Sequence, residues 1–166
     1  MTWIVRLLFA CAVLAPMAVQ AQSRNEQTFG PWELTTIVDQ AGGPTRAILT
    51  ARAPQSGTSR ADASLTFRCR SDERGKMDAV FSAGPSLTAQ PTHTVLFDFG
   101  GGQQLSQTWS SLDAYGSGLN GSAYNNSISD LQALLMALTQ QASLTVTATE
   151  FIGRPIESEF SFVPEQ

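Results

Sequence analysis

The chain is poor in the residues that most chemistry relies on. Two cysteines, one histidine and two tyrosines occur in 166 residues, and charged residues make up only 14%. The single histidine, His93, excludes a histidine-rich metal centre, because a zinc site needs three or four converging N, S or O ligands. No Asp-x-Asp-x-Asp-Gly loop offers a calcium site, and no Gly-x-Ser-x-Gly elbow marks a hydrolase nucleophile. Gly100-Gly-Gly102 follows an apolar strand, but Gln103-Gln104 come next in place of Lys and Ser/Thr. With a strand rather than a helix expected beyond it, the glycine run reads as a hairpin turn and not as a phosphate cradle. No catalytic residue, cofactor site or metal ligand is expected. His93 reads as a satisfied or solvent-facing histidine, and Asp98, Asp113 and Asp130 as solvated or capping carboxylates.

Long apolar runs are also scarce. One stretch stands out, Leu7 to Val19, behind Met1-Thr-Trp-Ile-Val-Arg6 and ahead of Val19-Gln20-Ala21. A positive residue, a short apolar core and small residues at the cleavage positions compose a secretory signal peptide. The run is too short, and too broken by Pro16, to anchor in a bilayer about 30 Å thick. Leu8-Phe-Ala-Cys11 loosely matches a lipobox, but Arg6 leaves almost no apolar core before Cys11. Residues 1–21 are therefore expected to be a cleaved signal, with the mature chain periplasmic or secreted and without a transmembrane anchor.

Loss of Arg6 takes ten basic residues to nine against fourteen acidic ones, a net charge of −5. An acidic surface argues against nucleic acid as a partner. Cleavage also leaves Cys69 as the one cysteine, so no internal disulfide is available. Cys69 alternates with Leu65 and Phe67 and is expected to be a small buried hydrophobe. Its flanking Arg68 and Arg70 fall on the opposite face.

What remains is a Ser-, Thr- and Gly-rich chain with period-two alternation. Residues 22–29 are mostly polar and are expected to be a flexible segment, frayed or extended, with one β-rich domain over 30–166. Trp32, Leu34, Thr36 and Val38 alternate with polar neighbours, and Arg46 to Arg52 reads as the returning strand. Leu65, Phe67 and Cys69 define a second hairpin with Lys76 to Ala83. Thr92 to Phe99 and Gln104 to Leu112 make a third, and Leu144 to Phe151 with Ile156 to Val163 a closing one. Leu131, Leu134, Leu135 and Leu138 form one apolar stripe, so a helix from Ser127 or Ser129 to about Gln140 is expected. About eight strands and one late helix predict a mainly β fold, an antiparallel sandwich or curled sheet, with an α+β layer as the alternative. Trp32 and Trp109 are expected to anchor the core.

Residues 113–126 form the most loop-like stretch. Tyr, Ser, Gly and Asn together compose adaptable recognition loops, which makes Tyr115, Asn120, Tyr124 and Asn125 the candidate partner-binding residues. A protein or envelope partner is expected. A small hydrolase or a small-ligand carrier are the alternatives.

Several landmarks taken in order resemble the periplasmic VasI/TagO-like family associated with type VI secretion. They are Trp32, Leu65-Thr-Phe-Arg-Cys69, Val95-Leu-Phe-Asp98, Trp109-Ser-Ser-Leu-Asp113, Gly153 and Glu159-Phe-Ser-Phe162. The opening Phe29-Gly-Pro-Trp32 is similar to that of the invasion-associated locus B family. Both resemblances imply a small exported β domain with a non-enzymatic, accessory role at the bacterial envelope.

Overall fold

A computed structural model describes residues 22–39, 45–53, 63–71, 76–83, 87, 91–112, 122–139, 142–149 and 155–161. Among these, ten strands and one helix are found. The strands are β1 (Gln22–Phe29), β2 (Trp32–Asp39), β3 (Arg46–Ala53), β4 (Ala63–Arg70), β5 (Lys76–Ser82), β6 (Thr92–Asp98), β7 (Gln104–Ser111), β8 (Ser122–Asn125), β9 (Ser143–Thr149) and β10 (Pro155–Ser161), and the helix is α1 (Ile128–Leu138). The expected signal segment, residues 1–21, lies outside the described residues. No described helix is long and apolar enough to cross a membrane.

All ten strands join in one antiparallel sheet in the order β1-β2-β3-β4-β5-β8-β7-β6-β9-β10. The fold is thus mainly β, a single open sheet rather than two stacked ones. β10 lies against β3 as well as its ladder partner β9, so the sheet bends back over its inner face. Period-two alternation decides what that face carries. On β4, Leu65 and Phe67 are buried while Ser64, Thr66 and Arg68 point outward. The same alternation turns Ala79 and Phe81, Val95 and Phe97, and Leu144, Val146 and Ala148 into one core.

Trp109 is fully buried near the middle of that core, its ring 5.6 Å from Phe97 in a tilted pair. Its indole N–H would be costly to bury alone. Gln107 Oε1 accepts it at 2.9 Å, and Gln107 Nε2 donates to the Asp130 carbonyl oxygen at 2.7 Å. That chain ties the sheet to the first turn of α1, whose Leu131 and Leu134 are buried in the same core. The helix begins where Ser127 caps it and Asp130 sits in the first turn, favourable for both the open N–H groups and the dipole. The connection from β8 to β9 passes β7 and β6 and carries α1 across the inner face.

Three sequence expectations are corrected. Residues 22–29 pair along their whole length with β2, from Gln22 with Asp39 to Phe29 with Trp32. The two-residue turn Gly30-Pro31, with Gly30 at φ 58°, holds them there. Polarity on both faces had hidden this strand, because β1 buries no side chain at all. Ser122–Asn125, expected to be the end of a loop, is instead the strand β8 between β5 and β7. Its small residues suit the position, since Ala123 lies opposite both Phe81 and Ser111. Cys69 has the expected facing, but it is exposed, at the end of the inner face where its cross-strand neighbours Ala47 and Met77 are not buried either.

A candidate binding groove beside the helix

Exposure on the inner face rises steadily toward one end. Ala51, Leu65 and Phe81 form one fully buried cross-strand row. Two residues along, Leu49, Phe67 and Ala79 include a half-buried member. Two further, Ala47, Cys69 and Met77 contain no buried residue. Leu34, Ala47, Leu49, Phe67, Arg68, Cys69, Met77 and Leu135 line an open apolar groove of about 150 Å³.

Met77 also borders a second hollow. That cleft, about 280 Å³, lies between the start of β5 and the strand-to-helix junction, and Lys76, Asp78, Tyr124, Asn126 and Ile128 complete its wall. Ile128 is 55% exposed there, an apolar side chain at the mouth of a polar cleft. An apolar trough and a polar cleft therefore meet at one methionine, a flexible side chain able to adapt to irregular surfaces.

Charge is arranged around this surface. Arg68 Nε donates to Asp78 Oδ1 at 2.6 Å across the β4–β5 ladder. Arg46, Arg70 and Lys76 occupy one cross-strand level at the groove's open end. The opposite half of the outer face carries Asp98 on β6 and Glu157 and Glu159 on β10, brought to adjacent levels through Thr145 and Thr147.

The candidate partner-binding residues separate. Tyr115 and Asn120 lie outside the described residues. Tyr124 faces outward, opposite Val80 and Ser110, and lines the polar cleft. Asn125, its neighbour on a strand, must point the other way. It is buried, accepts from the Ser127 backbone N–H at 2.8 Å and donates to Asp130 Oδ2 at 3.3 Å. Its work is to set the start of α1. The groove residues Leu34, Leu49, Met77 and Leu135 were visible in the sequence only as apolar members of alternating strands and of a helix stripe.

His93 is buried on the inner face opposite Trp109. Ser111, two residues beyond Trp109 on the same face, is also buried, and its Oγ has no hydrogen-bond partner. Neither side chain borders the groove or the cleft. Among the described residues no group of three His, Cys, Asp or Glu is placed to hold a metal ion. Asp98 is held below the ordinary carboxylate range, chiefly by the side-chain amide of Gln104 and then by the Gly100 N–H. Both bonds belong to a turn remote from the groove. Comparison with protein-family models, curated proteins and solved structures returns no match.

Proposed function

We propose that this protein is exported to the bacterial envelope and acts there without catalysis, by seating an apolar segment of a protein partner in the groove beside α1. One observation carries this reading: the core is left open at one end, so that Leu34, Leu49, Cys69, Met77 and Leu135 line a trough instead of a sealed interior. A trough of about 150 Å³ suits one or two inserted side chains. Pockets that enclose a small molecule are larger, at about 300–1,000 Å³, which favours a protein partner over a carried ligand. The neighbouring cleft supplies Tyr124, Lys76 and Asp78 as polar anchors for the same partner. The burial of His93 favours a structural histidine over a catalytic base.

Export is supported by the signal-like segment at residues 1–21. The resemblance of Leu65-Thr-Phe-Arg-Cys69 and Trp109-Ser-Ser-Leu-Asp113 to the VasI/TagO-like family supports an accessory role in a secretion or envelope system. The test uses Cys69 itself, which lies exposed in the groove. A photoreactive maleimide attached there, activated in intact cells, is expected to trap one discrete partner. Leu49→Asp, checked for native circular dichroism, is expected to abolish that adduct. Cell fractionation places the protein. A cytoplasmic location, or an adduct pattern unchanged by Leu49→Asp, sinks the reading.

A further inference from the structure

The two edges of the sheet differ in a way that bears on assembly. Edge strands present unpaired N–H and C=O groups, and proteins blunt them with proline, inward charge, bulges or a covering element. β10 has such protection: it starts at Pro155, carries Glu157 and Glu159, and lies against β3. β1 is less protected, since its two charges, Arg24 and Glu26, are of opposite sign and pair with each other. It runs for eight residues without proline, pairs with β2 without a bulge, and leaves all eight side chains exposed.

The register of the β1–β2 hairpin decides which backbone groups face the open side. A two-residue turn closes on a hydrogen-bonded pair, here Phe29 with Trp32, and hydrogen-bonded pairs then alternate along the ladder. Phe29, Gln27, Asn25 and Ser23 therefore direct their backbone groups to β2. Thr28, Glu26, Arg24 and Gln22 direct theirs to the open edge.

That edge is complementary to itself. Antiparallel pairing with a second β1 about a two-fold axis through Asn25 sets Arg24 opposite Glu26 of the second copy, and Glu26 opposite its Arg24. It sets Gln22 opposite Thr28 in the same way. Every one of these positions is an outward-bonding one, so the ladder is satisfied at the same register that pairs the charges. Arg24 and Glu26 lie on one face of β1 and form an ion pair within the strand, with both side chains more than half exposed. A pair so exposed is worth little by itself and is readily extended into a four-charge cluster.

We infer that β1 is a dimerisation edge: two copies of this chain join their sheets through antiparallel β1–β1 pairing with Asn25 at the two-fold axis. An interface of this kind is isologous and closes at two copies. Opposite charges facing each other across a ladder help pairing, and like charges hinder it.

Sedimentation of the purified protein over a range of concentrations tests this through a charge-reversal set. Wild type is expected to dimerise. Arg24→Glu alone, or Glu26→Arg alone, places like charges opposite each other and is expected to weaken the dimer on the order of tenfold. The double variant Arg24→Glu/Glu26→Arg restores both pairs and is expected to regain the dimer. Mixing the two single variants is expected to give a heterodimer. In a Cys69→Ser background, Asn25→Cys is expected to form a disulfide-linked dimer on mild oxidation. Thr28→Cys is expected not to, since that register holds two Thr28 positions roughly 20 Å apart. A wild type that stays monomeric, including one whose β1 takes up a strand from another protein, overturns the inference. So does a dimer indifferent to both single charge reversals, provided circular dichroism shows them folded.

Discussion

Gln107 stands between Trp109 and Asp130, accepting the indole N–H at 2.9 Å and donating to the main-chain carbonyl at 2.7 Å. One amide thus satisfies a core aromatic and a helix backbone together, and the indole it serves is fully buried. Gln107→Leu keeps the volume and removes both bonds, leaving the Trp109 donor buried and unpaired. An unsatisfied buried group costs about 1–3 kcal/mol, and a second lost bond adds to it. Urea unfolding is expected to show a loss of roughly 2–4 kcal/mol with little change in slope. A loss below about 0.5 kcal/mol, the range of ordinary surface changes, would show that the relay is dispensable.

The turn between β6 and β7 gives a prediction about pH. Asp98 accepts from Gln104 Nε2 at 2.7 Å and from the Gly100 N–H at 2.8 Å, and these bonds favour its charged form. Its folded value lies below its unfolded one, so its contribution is present above the ordinary value of 3.8. It declines as pH falls through the depressed folded value, and below both it is gone. Melting temperatures of wild type and Asp98→Asn should therefore differ at neutral pH and converge in strong acid. A gap that widens on acidification would contradict the assignment.

Gly100, Gly101 and Gly102 lie in succession at φ 79°, 60° and 85°. A Cβ at Gly101 would meet nothing within 4 Å, so any cost of Gly101→Ala is purely conformational. The left-handed region costs an L-residue roughly 1–2 kcal/mol. Gly101→Ala is expected to lose about that much in thermal or urea unfolding, and Gly101→Asn less, since Asn tolerates this region. Equal losses for the two would point to a cause other than backbone strain.

Cys69 should behave as a surface thiol. Because it lies in the open groove, a thiol reagent such as Ellman's is expected to react with it fully in native buffer. Cys69→Ser should change stability by no more than about 0.5 kcal/mol, as surface substitutions do. Reaction only after denaturation would show that the groove is closed in solution.

The elements with a one-sided pattern were the legible ones. Leu65 and Phe67 against Thr66 and Arg68, or Leu131, Leu134, Leu135 and Leu138 at helical spacing, announce both their structure and their buried side. The cap was readable only as Ser127 or Ser129, and the structure selects Ser127. β1 and β8 escaped for different reasons. β1 is polar on both faces because neither is covered. β8 is only four residues long and sets small residues such as Ala123 opposite Phe81 and Ser111, which leaves no alternating apolar pattern to read. Cys69 shows the remaining limit. Alternation tells which face a residue occupies, but whether another element covers that face depends on where a helix ends, information held at distant positions. The groove is built from that kind of information, so it could not be read before the topology was known.

β8 joins β5 through four residue pairs and β7 through only two, Ser110 with Tyr124 and Ser111 with Ala123. The ladder is thus narrowest between a five-stranded meander on one side and β6, β7, β9 and β10 on the other, two parts that also meet where β10 lies against β3 and in the shared core. The β1–β5 meander closes hairpin by hairpin over short sequence distances, whereas β8 meets β5 at pairs as far apart along the chain as Ala79 and Asn125, and that junction should form late. Partial opening should follow the same line, so the amides of β8 are expected to exchange with solvent sooner than those of β4 or β9. Tyr124 sits on that line, so the cleft it borders is expected to widen when the junction opens.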